Sequence, residues 1–527
     1  MNKILISDSI DVKCKEILEK KGIEVTYLPN ITAEEIKKGI GEFNGLIVRS
    51  RTQVNNSLLE LAKNLSIIGR AGTGCDNIDL NSATRKGILV MNTPGGNTIS
   101  AAEHTMALML SLCRHLPQAN ASMLSGKWER GKYQGAELND KILGIIGFGK
   151  IGKEVALRSI SFGMEVICFD PLMSEDSAIK FGVKLVSLDN LFKKSDIISI
   201  HVPLTDETKN IISKKNLAKC KKGVKIINCA RGELIEDSAL LKCLISGQVS
   251  GAAIDVFRTE PPNFSDPLLT HPNVVTTPHL GASTQEAQEK VAVQIANQIA
   301  DYFNGKEIKG AVNGLGIEAI NNQDIYPFVK LGEKIGNIYS QLSKNKLEQI
   351  DINVCGETLH KFSLLLSISV LKGYLNNKLE ETVNLINAPL LAKENGIIIN
   401  EIKSSSNIDY KNLLSITFHS KDEIRKFDGT VFGNKEIRIV GINNYRIEVN
   451  PEGYLLFYTN EDKPGMLSLV SKLLAEKNIN IAGLSLGRRG KGEIAITIIN
   501  IDNKVDKKTL DTISSYQGIS NVGYIKL

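Results

Sequence analysis

Lys141-Ile142-Leu143-Gly144-Ile145-Ile146-Gly147-Phe148-Gly149-Lys150-Ile151-Gly152 is the stretch around which this 527-residue chain can be organised. Lys141–Ile146 reads as a short apolar strand, and Lys153–Phe162 has helical spacing. A second strand, Glu165–Phe169, ends at Asp170, 18 residues after Gly152. Strand, glycine turn, helix and acid-tipped strand make one unit of a parallel, doubly wound sheet. Three glycines at this spacing suit a dinucleotide. The first permits the tight turn, the second lets a pyrophosphate approach the backbone, and the third lets helix and strand pack closely. The pyrophosphate then lies against the positive end of the helix. Asp170 is placed for ribose hydroxyls, and its charge would repel a 2′-phosphate. No arginine follows in the next several positions, so the pattern specifies NAD rather than NADP.

Three downstream segments carry chemistry: Asn228-Cys229-Ala230-Arg231-Gly232, Phe257-Arg258-Thr259-Glu260-Pro261-Pro262 and Pro278-His279-Leu280-Gly281. Each follows an apolar run: Val224–Ile227, Ala252–Val256 and Val274–Thr277. In an open parallel sheet the carboxyl ends of the strands face the ligand. Arg231, Glu260 and His279 therefore converge, though far apart in sequence. An arginine clamps a carboxylate through two parallel hydrogen bonds. A histidine beside a carboxylate moves a proton near neutral pH. Together they are the equipment for taking a proton from a hydroxyl next to a carboxylate. His201, after Ile197–Ile200, reads as a cofactor contact with Pro203. His104, His115, His271, His360 and His419 read as structural.

With the glycine loop, Asn228–Gly232, Glu260-Pro261-Pro262 and Pro278–Thr284 resemble the NAD-dependent D-2-hydroxyacid dehydrogenases. Val48-Arg49-Ser50, Gly69–Gly74 and Asn92–Asn97 look like the branch of that family acting on 3-phospho-D-glycerate, which opens serine synthesis. The resemblance is dense from about residue 3 to 313 and looser beyond. It implies Arg231, Glu260 and His279 as the catalytic set. It implies NAD contacts at Thr73, Gly147, Phe148, Gly149, Lys150, Ile151, Gly152, Asp170, Pro171, His201, Pro203, Thr208, Cys229, Ala230, Asp255 and Gly281. It implies substrate contacts at Arg49, Ser50, Arg70, Gly96 and Asn97, with Arg49 and Arg70 on the phosphate. Arg51, Arg130 and Lys132 are weaker candidates, the last two on a loop that could reach a neighbouring subunit. The alternatives are a glyoxylate or hydroxypyruvate reductase with the same catalytic set, or a non-catalytic NAD-sensing scaffold.

Lys3–Ser7, Glu24–Tyr27, Gly45–Val48 and Ser66–Gly69 read as strands alternating with amphipathic helices, an α/β pattern. A helix is expected over Ile99–Leu116 and another over Gln285–Asn304. The expected domains are a substrate lobe (1–96 with 286–313), an NAD-binding Rossmann domain (97–285), an α+β intervening domain (314–452) and a ferredoxin-like βαββαβ ACT domain (453–527). The first two are doubly wound flavodoxin/Rossmann-like lobes with NAD between them. In the intervening domain Tyr326–Leu342 and Leu359–Leu375 have helical spacing, and Glu436–Val440 and Tyr445–Val449 read as strands. Lys435, Arg438 and Arg446 there form a solvated basic face or an anion site. The resemblance implies an ACT domain that pairs and holds an amino acid, serine, through Asn460, Asp462 and Asn480. Two isologous pairings favour a homotetramer.

Hydrophobic content of 42% and charged content of 23% are ordinary for a globular protein. The net charge of +6 is spread along the chain and gives no case for nucleic acid or a membrane surface. The most apolar stretches, Thr105–Cys113 and Phe362–Leu371, fall short of the roughly 18 residues of a membrane helix. Met1–Ile6 reads as a strand rather than a signal peptide, because Ser7-Asp8 interrupts it. Eight cysteines without paired spacing suggest reduced thiols in the cytoplasm. No metal site is expected.

Overall fold

The computed structural model describes residues 1–314, 316–405, 409–433 and 435–527. The chain divides into two compact units, Thr93–Gln294 and the combination of Met1–Asn92 with Ile295–Leu527.

Met1–Asn92 contributes β1 (Lys3–Ile6), β2 (Glu24–Tyr27), β3 (Gly45–Val48), β4 (Ile67–Arg70) and β5 (Leu89–Asn92). They form a five-stranded sheet in the order β2-β1-β3-β4-β5, the flavodoxin arrangement. All its pairings are parallel. Runs such as Gly45-Leu46-Ile47-Val48 are fully buried, as expected where helices cover both faces of a parallel sheet.

The unit Thr93–Gln294 holds β6 (Ile142–Ile146), β7 (Glu165–Phe169), β8 (Lys184–Leu185), β9 (Ile197–Ile200), β10 (Val224–Asn228), β11 (Val249–Ile254) and β12 (Val274–Thr276). The seven-stranded order is β12-β11-β10-β9-β6-β7-β8, a Rossmann sheet with one added strand. The chain reverses direction across the sheet between β6 and β9. That is the switch point, where ligands bind beyond the strand ends. The helix after β6 begins at Lys150, not Lys153, so it starts inside the glycine motif. The stretch expected as one helix over Ile99–Leu116 is two, Thr98–Arg114 and Leu116–Leu124, broken at His115 with φ 54°.

Returning to the larger unit, β13 (Leu347–Cys355), β14 (Ile398–Ser404), β15 (Leu413–Ser420), β16 (Glu423–Phe432), β17 (Glu436–Ile442) and β18 (Tyr445–Val449) make a six-stranded mixed sheet. The helices Tyr326–Leu342 and Ser363–Leu375 pack with it, and Tyr339 stacks on Phe418 at 4.1 Å between ring centroids. The helix read over Leu359–Leu375 is interrupted, with a short turn at Glu357–His360 preceding Ser363–Leu375.

The C-terminal segment comprises β19 (Tyr454–Glu461), β20 (Ile481–Arg488), β21 (Ile494–Ile501) and β22 (Ile519–Lys526), with helices Met466–Glu476 and Lys507–Ser515. The sheet order β20-β21-β19-β22 with antiparallel pairing is the βαββαβ ferredoxin-like arrangement. One face carries the two helices. The other shares its core with the six-stranded sheet, where Leu455, Ile496, Ile498 and Ile525 pack with Phe427 and Ile439. Among the described residues, no helix is long and apolar enough to cross a membrane.

Candidate active site

The site is built at the carboxyl ends of β10, β11 and β12, which are level. Asn228 pairs with Ile254, and Ile254 with Thr276. Three loops leave these aligned ends side by side, carrying Arg231, Glu260 and His279. Gly232 lets two of them touch: a Cβ there would lie 2.2 Å from the Phe257 carbonyl carbon. Arg258 ties the same loops together through Asp237, at 3.0 Å.

His279 Nδ1 lies 2.7 Å from Glu260 Oε2. The other Glu260 oxygen accepts from the Phe257 amide at 3.1 Å, so the carboxylate is aimed at the imidazole by its own loop. Both side chains remain partly open, at 46% and 38% exposure. His279 sits at φ 55°, a left-handed conformation that a non-glycine residue adopts only when its surroundings hold it there. Its amide donates to the carbonyls of Asp255 and Thr277 at 2.9 and 3.0 Å.

The restraint comes from a residue that the sequence placed at the cofactor. Asp255 is fully buried, and its carboxylate accepts from Thr277 Oγ1 (2.6 Å), Leu280 N (2.7 Å), Gly281 N (2.9 Å) and His104 Nε2 (3.1 Å). Burial alone would push this acid up, but the hydrogen bonds from His104, Thr277 and Leu280 outweigh it and hold it below the usual carboxylate range. The histidine loop is thus wrapped around a buried charge. His104 has a specific task in that network.

Arg231 Nη1 donates to the Ala230 carbonyl at 2.6 Å. Asn228 fixes the turn from below, accepting from Ala230 N at 3.0 Å and donating to the Arg231 carbonyl at 2.7 Å. Between them lies Cys229, whose thiol burial pushes up to about 12.

Whether this end of the sheet fits a dinucleotide can be tested on the glycine loop. Around Gly149 nothing lies within 4 Å of an added Cβ, so the loop is open where a pyrophosphate would approach. At Gly147 a Cβ would meet the His201 carbonyl oxygen at 2.6 Å, and at Gly152 the Gly147 carbonyl oxygen at 2.3 Å. Gly149 is the N-cap of a 12-residue helix, presenting its unpaired amides. Asp170 accepts from Phe148 N and Leu172 N, each at 2.9 Å, fixing it at the tip of β7 beside the loop. Pro171 next to it is exposed, and Ile151 is half-buried. Lys150 reaches the Pro94 carbonyl at 3.3 Å. His201 is paired with Ser199 at 2.8 Å, and burial lowers it to about 4, so it is neutral at physiological pH. Thr208 Oγ1 donates to the Pro203 carbonyl at 2.6 Å and holds that loop. These residues fit the cofactor.

Of the expected substrate residues, Gly96 is buried, and a Cβ there would meet Val291 Cγ1 at 2.4 Å. Neighbouring Asn97 is half-buried. Arg49, Ser50, Arg70 and Thr73 belong to the unit containing the five-stranded sheet. Arg49 follows β3, and its amide is held by Asp8 Oδ2 at 2.6 Å. Buried Asp8, which the sequence did not single out, also accepts from Thr52 N at 3.2 Å and pairs with Arg51 at 3.3 Å. Arg51 is therefore a brace. Arg70 curls over Gly72, donating to the Ala71 carbonyl at 3.3 Å.

In the C-terminal domain, Asp462 accepts from Gly492 N at 3.1 Å and Arg488 Nη1 at 3.2 Å, and Asn480 donates to Asp502 at 2.7 Å. Asn460 differs from the expectation. It is only 5% exposed, and its amide oxygen accepts from Thr497 within the sheet at 3.0 Å. It shares the inward face of β19 with Leu456 and Tyr458, so it supports the sheet rather than presenting itself to an effector.

Comparison with known proteins sharpens this picture. Residues 106–281 match the D-isomer specific 2-hydroxyacid dehydrogenase NAD binding domain, 324–443 the D-3-phosphoglycerate dehydrogenase intervening domain, and 454–517 the ACT domain. Over 527 residues, all of both chains, the protein is 40% identical to D-3-phosphoglycerate dehydrogenase of Archaeoglobus fulgidus. The chain belongs to the D-3-phosphoglycerate dehydrogenase family. The human member is 39% identical over 503 residues, 94% of each chain. A crystal structure of D-lactate dehydrogenase from Aquifex aeolicus, complexed with NAD and lactic acid, matches 58% of this chain and 96% of its own at 30% identity and a TM-score of 0.51. As a D-3-phosphoglycerate dehydrogenase family member the protein is an NAD-dependent oxidoreductase, and the glycine loop and Asp170 are the elements suited to hold that cofactor.

Proposed function

We propose that the protein oxidises 3-phospho-D-glycerate to 3-phosphohydroxypyruvate, the first step of phosphorylated serine synthesis, with Arg231, Glu260 and His279 as the catalytic residues. The observation that carries this is the 2.7 Å pair between His279 Nδ1 and Glu260. With Nδ1–H donated to the carboxylate, the lone pair of His279 lies on Nε2, which is left for the substrate. Nε2 takes the C2 hydroxyl proton, and Glu260 stabilises the imidazolium that results. Arg231 binds the substrate carboxylate through its guanidinium and donates toward the C2 oxygen. NAD held at the glycine loop supplies the acceptor for the hydride leaving C2. In the reverse direction protonated His279 polarises the keto group and returns the proton.

Arg49 and Arg70 supply fixed positive charge for the substrate phosphate, with Ser50, Gly96 and Asn97 as further substrate contacts. Thr73, Pro203, Thr208, Cys229 and Ala230 line the cofactor, and Asp255 and Gly281 act through the histidine loop. Serine is the amino-acid effector of the ACT domain, gripped by Asp462 and Asn480. It inhibits by preferring a less active arrangement of subunits in a homotetramer. The cytoplasm is the proposed location, supported by eight free thiols.

The test is the rate of NADH oxidation with 3-phosphohydroxypyruvate beside hydroxypyruvate at matched concentrations. Strong preference for the phosphorylated acid supports the assignment. Equal or reversed preference keeps the dehydrogenase chemistry but moves the enzyme to the glyoxylate and hydroxypyruvate reductases.

A further inference from the structure

A cavity of about 230 Å³ lies where the ferredoxin-like sheet packs on the six-stranded sheet and the helix Tyr326–Leu342. Its walls are mostly apolar and come from all three elements: Ile338 and Leu342 from the helix, Phe427 and Ile439 from one sheet, Ile498 and Ile525 from the other. It is smaller than the ~300–1,000 Å³ of drug-sized sites, so an occupant is a small metabolite.

Two charged residues line this largely apolar space, Glu423 and Arg425. They alternate with outward residues on β16 and share their face with buried Phe427, so they follow directly from the cavity wall. Glu423 Oε1 accepts from Arg425 Nε and fixes the guanidinium at its root. Both terminal amino groups of Arg425 lack a protein hydrogen-bond partner among the described residues, and so does Glu423 Oε2. Of the polar neighbours, Asn443 Oδ1 accepts from Lys426 N at 3.0 Å, and Asn521 Nδ2 donates to Thr459 Oγ1 at 3.0 Å. The unused charged groups are thus a forked donor and an anionic acceptor, side by side at a largely apolar hole.

A plain carboxylate would place a second negative group on one guanidinium already shared with Glu423. An amine alone would leave the arginine fork unused. We propose that this cavity binds a small zwitterion with an apolar side chain, an aliphatic α-amino acid, whose carboxylate takes the Arg425 fork, whose ammonium meets Glu423 Oε2 and whose side chain fills the apolar space. Asp462 and Asn480 do not line it, so it is separate from the serine effector site proposed above. An occupant touches both sheets at once and strengthens their packing.

The test is calorimetric titration of the full-length protein with L-leucine, beside 4-methylpentanoate, which lacks the amine, and 3-methylbutylamine, which lacks the carboxylate. Leucine should bind, with each comparator weaker by about tenfold or more, the worth of one charged hydrogen bond. Arg425→Gln should weaken leucine by about the same factor. Leu342→Trp, which fills the cavity from a half-buried position, should abolish binding. Both variants should keep NADH turnover. Absence of leucine binding at millimolar concentration overturns the proposal. So does binding that survives both substitutions, which would place leucine elsewhere on the protein. If the tryptophan variant misfolds, Arg425→Gln decides alone.

Discussion

Asp255→Asn tests how His279, the proposed catalytic histidine, is held. The substitution preserves shape and removes the charge around which residues 277–281 are wrapped. The amide can keep its oxygen toward Thr277, His104 and Leu280 N, the donors to Oδ1. Its NH2 must then face Gly281 N, which donates to Oδ2 at 2.9 Å in the native protein. Two donors in a fully buried position leave one backbone N–H unsatisfied, at a cost of about 1–3 kcal/mol. The three bonds that survive lose their charge assistance, which roughly halves each. A local loss of ~2 kcal/mol is a ~30-fold change in the opening equilibrium. Hydrogen–deuterium exchange of the peptide spanning Pro278–Thr284 should accelerate by about that factor, while the glycine-loop peptide exchanges as before. Because His279 hangs on the same loop, turnover should fall by roughly 10²-fold, the scale of a 1 Å misplacement. The network also has a pH limit. A depressed acid stabilises the fold above its unfolded pKa and loses that contribution as pH falls through the folded value. Acid should therefore release the histidine loop, with protection intact above roughly pH 4. Unchanged exchange together with unchanged turnover in Asp255→Asn would refute the argument that the buried carboxylate positions His279.

His279→Ala should lower turnover by at least ~10²-fold while NADH fluorescence still reports cofactor binding; full turnover would remove His279 from the reaction. Arg70→Ala should raise KM for 3-phosphohydroxypyruvate far more than for hydroxypyruvate, and equal effects would sink the phosphate role. His201, lowered to about 4 by burial, stays neutral in the folded protein while the unfolded chain takes up a proton below about pH 6.5. Stability is therefore fully present above that pH and falls as pH drops toward 4, by at most about 3 kcal/mol. In His201→Gln the urea midpoint should vary less with pH over this window, and an unaltered profile would show that His201 is not the group responsible.

Much of the site was legible because its residues follow apolar strands at fixed offsets. β3, β9 and β18 begin and end where the alternation of apolar runs and breakers placed them. The strand before the glycine motif ends at Ile146 as expected, but the helix after it starts three residues earlier. Gly152 belongs to the helix, packed on the Gly147 carbonyl, and composition alone made the motif look like loop. Asp8 and the His104–Asp255 pair were illegible for another reason: each binds partners more than 40 residues away, across loops whose approach depends on the finished sheet. Asn460 could have been placed. The two-residue period of its strand puts it with Leu456 and Tyr458, on the face that packs inward. Four of the six intervening strands lie outside the expected set: Asn, Lys or Glu dilute the alternation in β13, β14 and β16, and β15 opens on two adjacent leucines and alternates only from Ser415.

Cys229 sits two residues from Arg231, the guanidinium proposed above for the substrate carboxylate. With its thiol near 12, only about one molecule in 10⁵ carries a thiolate at pH 7, and the thiolate is the reactive form. Alkylating agents and peroxide should therefore pass this cysteine by, and a covalent drug against the enzyme would need a different anchor.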